Sequence, residues 1–79
     1  MLDIRKFIND TSFQILYRNN SLNIINYTDI NYMEESKISI SVYNNKKILI
    51  KGNNLTVKKL LESEILIVGN ITSIEFLNE

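Results

Sequence analysis

The sequence predicts an all-β chain, a mainly antiparallel meander forming a small sandwich, roll or barrel, with a short N-terminal helix. Three observations predict it. From Ser12 onward apolar residues recur at every second position, the period of a half-buried strand. The runs so patterned are rich in Ile, Val, Tyr and Phe, which suit a pleated surface. They are separated by Asn and Gly clusters, the residues that tolerate the positive φ of tight hairpin turns.

The elements follow in order. Residues 1–11 are expected to form a short helix or arm, with the helix over 2–9. Leu2, Phe7 and Ile8 share part of one face, and Thr11-Ser12 end it. A helix this short holds only if it docks on something. Residues 12–79 are expected to be a single β domain. Phe13, Ile15 and Tyr17 alternate with Gln14, Leu16 and Arg18. Ile38, Ile40 and Val42 alternate with Ser39, Ser41 and Tyr43 in the cleanest strand pattern. Ile48 and Ile50, Leu55 and Val57, Ile65 and Ile67, then Ile74 and Phe76 continue it. Turns are expected at Asn19-Asn20, Asn44-Asn45, Gly52-Asn53-Asn54 and Gly69-Asn70.

One repeat stands out. ILIKGNNLTVKKL (48–60) and ILIVGNITSIEFL (65–77) superpose with a shift of 17 residues, Gly52 on Gly69 and Leu60 on Leu77. The expected reading is two similar hairpin units, each strand, glycine turn, strand, with Gly52 and Gly69 supplying backbone angles that a Cβ forbids. Neither copy has the glycine spacing or the Lys-Ser/Thr of a phosphate-binding loop.

Composition narrows the function. With 79 residues the chain is one domain, and a domain this small is marginal by itself. It has no Cys and no His, so the usual nucleophile, general base and metal ligands are missing. Glu34-Glu35 is the only adjacent acidic pair, and adjacent strand residues point to opposite faces. No catalytic, metal or cofactor site is expected, and no enzyme activity. No apolar run approaches the roughly 18 residues of a membrane span, and the N-terminus lacks a signal-peptide core. The expectation is a cytoplasmic protein with no direct membrane span.

Charge and hydrophobicity point instead to surfaces. Six lysines and no acid lie between Ser36 and Leu61; four glutamates and no base lie between Glu62 and Glu79. The repeat sets Lys47 against Glu64 and Lys58 against Glu75. Two readings are open: cross-strand ion pairs within one sheet, or complementary edges between subunits. Leu49, Leu66 and Val68 fall on the opposite face from Ile48, Ile50, Ile65 and Ile67, so an apolar strip needs cover. The candidate protein interface is therefore Leu49, Leu66 and Val68 flanked by Lys47, Lys58, Glu64 and Glu75. It would serve a homo-oligomer or a membrane-anchored protein partner. The lysines with Tyr27, Tyr32 and Tyr43 leave an alternative, a small OB-like binder of single-stranded nucleic acid. Zero net charge argues against it, and no nucleic-acid partner is expected.

The segment from Asn45 to Glu79, with its paired glycines, Glu-Ile-Leu-Ile-x-Gly-x-Ile and aromatic ending, resembles the C-terminal half of the YabP/YqfC family of small sporulation proteins. Residues 13–43 resemble the preceding part, closer to the YqfC side. The resemblance covers about residues 12–79. It implies a non-enzymatic protein of the mother cell of endospore-forming bacteria, required for efficient spore formation. It also implies a membrane-bound partner. It supplies no catalytic or cofactor residues.

Overall fold

The computed structural model describes residues 13–43 and 45–78. The helix expected over residues 2–9, within the arm 1–11, lies outside the described residues. Six strands form: β1 (Gln14–Arg18), β2 (Ser21–Ile25), β3 (Tyr27–Met33), β4 (Lys37–Val42), β5 (Lys46–Leu60) and β6 (Glu64–Asn78). They build one antiparallel sheet in the order β1-β2-β6-β5-β4-β3. Strands β3 to β6 run as a meander, and the β1–β2 hairpin joins the far side of β6.

Asparagine makes most of the corners. Asn19 and Asn20 close the β1–β2 hairpin with φ of 29° and 64°. Positive φ at both central residues is the type I′ signature, whose twist matches the strands it joins. Asn26, at φ 68°, carries the chain from β2 into β3, and its N–H donates to the Ser63 carbonyl at 2.6 Å. Asn45, at φ 57°, lies in the β4–β5 turn.

The two repeat segments are not two hairpins. Each lies within one continuous strand of 15 residues, β5 or β6, and the two strands are the arms of a single hairpin. Gly52 and Gly69 therefore lie in mid-strand, where the arms bend, and not at turns. Antiparallel pairing sets Gly52 beside Ile71, while bulges displace Asn54 and Leu55 from the ladder beside Gly69. A Cβ on Gly52 would stand 2.1 Å from the Asn70 carbonyl oxygen, and one on Gly69 would stand 2.6 Å from that of Asn54. Close approach of backbones is thus the shared reason for glycine. Positive φ applies only to Gly69, at 139°.

The bend folds the sheet back on itself. Leu22 and Ile24 of β2 and Ile65 and Ile67 of β6 meet Ile38, Ile40 and Val42 of β4 and Ile48 and Ile50 of β5 in one core, closed by Leu55. The Phe13 and Phe76 rings stack across the fold with centroids 6.3 Å apart, although their segments are not neighbours in the sheet. Burying nine Ile, Leu and Val side chains almost completely between the halves gives ~1.5–3 kcal/mol each relative to exposure. The β3–β4 turn ties down the bend, since Ser36 and Glu35 carbonyls accept from the N–H groups of Gly52 (3.0 Å) and Leu55 (2.8 Å).

Candidate functional site

Because the sheet is folded, it has two outer faces pointing away from each other. The strand period places every candidate interface residue of β5 and β6 on one of them except Lys58, which sits in a register shift between Val57 and Lys59.

The first outer face belongs to β1, β2, the first half of β6 and the last part of β5. Leu66 stands between Asn23 and Lys59, and Val68 between Ser21 and Thr56. Ile25 is diagonal to Leu66, and Leu16 is diagonal to Ile25. Diagonal neighbours are within reach of long side chains, so Leu16, Ile25, Leu66 and Val68 make an oblique apolar path. Leu66, Val68 and Ile25 are half-buried, and Leu16 is 52% exposed. Glu64 borders the path and accepts a hydrogen bond from Asn23 Nδ2.

The second outer face belongs to β4, the first half of β5 and the last half of β6. Leu49 lies here, between Ser39 and Glu75, with Lys47 between Ser41 and Leu77. Leu49 is therefore not in one strip with Leu66 and Val68. The alternation that put all three opposite the core holds, but the bend at the glycines turns their shared side in two directions. Lys51 and Glu75 form a diagonal ion pair at 3.2 Å, with 45% and 42% of the side chains exposed. Such exposed pairs contribute ~0–1 kcal/mol. Of the two readings of the charge blocks, this contact belongs to the first, ion pairing within the sheet.

Periodicity missed one cluster. Ser39 and Ser41 read as solvent-facing polar positions, yet both are buried. The reason is a register shift in β3 between Ile30 and Tyr32, which lays Asn31 over them. Asn31 Nδ2 donates to Ser39 Oγ at 3.1 Å, and Ser41 Oγ donates to Asn31 Oδ1 at 3.2 Å. The residues stand in the sequence as Asn31-Tyr32 and Ser39-x-Ser41, but only the bulge brings the three polar side chains together.

At one end of the fold an open, largely apolar groove of about 390 Å³ runs between Phe13, Ile15, Val42, Ile48 and Phe76, with Lys46 and Lys47 at its rim. At the other end Glu34 and Glu35 line a shallower groove with Met33, Ile38 and Leu55. Among the described residues no three carboxylates gather as metal ligands, and no helix is long and apolar enough to cross a membrane.

What these features define is a small all-β protein with two outer faces and a folded sheet whose edge strands among the described residues are β1 and β3. The YabP family model matches residues 11–79, and the chain belongs to the YabP family. No curated protein and no solved structure matches it.

Proposed function

We propose that the protein is a non-enzymatic sporulation factor, acting in the mother cell of an endospore-forming bacterium as an interaction or assembly protein for a membrane-anchored partner. The observation that carries this reading is membership of the YabP family over residues 11–79; the finer YqfC-like assignment rests on the resemblance of residues 13–43. The oblique path of Leu16, Ile25, Leu66 and Val68 is the surface offered to the partner. Apolar side chains bordered by Asn23, Glu64 and Lys59 have the apolar centre and polar rim of a protein contact.

The test is genetic and biochemical together. Deleting the gene should lower the yield of heat-resistant spores, and the wild-type chain should restore it. A Leu66→Glu chain should accumulate and fold but fail to restore it, because Leu66 lies on the outer face. Capture from sporulating cells should then recover a membrane protein with wild type and lose it with Leu66→Glu. An unchanged spore yield after deletion would refute the role. Steeply salt-dependent binding of single-stranded nucleic acid would favour the alternative reading instead.

A further inference from the structure

The two edges of the sheet are built differently. Pairing of β3 with β4 slips between Tyr27 and Asp29 and again between Ile30 and Tyr32. Bulges of this kind protect an edge from adding a strand. β1 has no bulge. It pairs with β2 in unbroken register, and Arg18 at its end is its only charge. Among the described residues no strand lies on its other side.

The hydrogen-bond phase of β1 follows from its neighbours. The Gly69 N–H donates to the Asn20 carbonyl at 3.0 Å, and the Asn26 N–H to the Ser63 carbonyl at 2.6 Å. The even-numbered residues of the β2 segment therefore bond toward β6, and Ser21, Asn23 and Ile25 bond toward Arg18, Leu16 and Gln14 of β1. Antiparallel alternation then turns the N–H and C=O of Ile15 and Tyr17 outward from the edge.

We propose that β1 pairs antiparallel with β1 of a second copy of this chain, about a two-fold axis through Leu16. In that register Ile15 exchanges two hydrogen bonds with Tyr17 of the second copy, and Tyr17 does the same with its Ile15. Leu16 faces its own counterpart at the close, non-hydrogen-bonded position, and Gln14 faces Arg18. No like charges meet, and Ile15 with Tyr17 is an aromatic and β-branched pair of the kind that stabilises sheets. Leu16 and Tyr17, 52% and 54% exposed, are the large apolar side chains that the pairing covers. A shift of two residues either way keeps a two-fold axis but sets Leu16 against Arg18 or Gln14, so the register centred on Leu16 is the one that pairs this exposed apolar side chain with itself. The pairing stands independently of the role in sporulation.

The absence of cysteine makes the register testable. Cα atoms at a non-hydrogen-bonded pair lie ~4.5 Å apart, inside the ~4.4–6.8 Å that a disulfide spans. Under mild oxidation the full chain carrying Leu16→Cys should form a covalent dimer. Gln14→Cys and Arg18→Cys should each fail alone and cross-link when mixed. In sedimentation the wild type should dimerise. Leu16→Lys should raise the dissociation constant at least ~10-fold through like-charge juxtaposition, with unchanged circular dichroism. Tyr32→Lys, on the β3 edge, should not. If Leu16→Lys disturbs the fold, Tyr17→Pro removes one outward N–H at an edge position that tolerates proline and should dissociate the dimer in its place. A wild-type chain that stays monomeric at every concentration, or Arg18→Cys cross-linking alone as readily as Leu16→Cys, would overturn the proposal.

Discussion

Gly52→Ala adds one methyl group where two backbones meet. Its Cβ would lie 2.1 Å from the Asn70 carbonyl oxygen and 3.1 Å from Ile71 Cα. Neither atom belongs to a flexible side chain; both belong to β6, in the middle of the β5–β6 ladder. Relief requires parting the two longest strands at their bend, where the N–H of Gly52 also bonds to Ser36. Overpacking of this kind costs ~1–3 kcal/mol, and the reduced freedom of the unfolded chain returns only ~0.4–1 kcal/mol. The expected net loss is about 2 kcal/mol, toward the upper part of that range because the obstruction is backbone. A 79-residue chain has a stability of ~4–12 kcal/mol, so the variant should still fold. Its melting midpoint should fall by ~8–16 °C. Gly69→Ala should lose more, because the 2.6 Å contact with Asn54 is joined by a φ of 139°, and such strain adds ~1–3 kcal/mol. Urea unfolding followed by circular dichroism measures both, with wild type as reference. A Gly52→Ala loss under ~0.5 kcal/mol, below the overpacking range, or a loss exceeding that of Gly69→Ala, would refute the close-approach reasoning.

Other outcomes are expected from the same geometry. Asn31→Ala takes one partner from each of the buried Ser39 and Ser41 hydroxyls and should cost ~1–3 kcal/mol, read by urea unfolding. Ile67→Glu should unfold the chain while Leu66→Glu should not, since Ile67 is fully buried and its neighbour is on the outer face; circular dichroism of the pair decides it. A double-mutant cycle on Lys51 and Glu75 should give a coupling below ~1 kcal/mol that shrinks with salt. Asn20→Val should lose ~1–2 kcal/mol because φ there is 64°, while Asn20→Gly should be neutral or stabilising in thermal melts.

The alternation of apolar residues by itself determined the all-β class, the core partners Ile38, Ile40, Ile48, Ile50, Ile65 and Ile67, and the outward side of Leu49, Leu66 and Val68. Period-two patterning is local, since each residue's face follows from its neighbour's. The Asn19-Asn20 hairpin was legible for the same reason, as a turn type demands particular residues within four positions. Tertiary structure alone decided how far a strand runs and which way its faces point. A glycine followed by asparagine reads alike as a turn or as a bend within a strand. The outcome depends on the Asn70 and Asn54 carbonyls pressing against Gly52 and Gly69 from the opposite arm. The bend then separates Leu49 from Leu66, the register shift in β3 buries Ser39 and Ser41 beneath Asn31, and β1 is the regular edge among the described residues. Each of these follows from contacts between residues on different strands, which the alternation along any one strand does not encode.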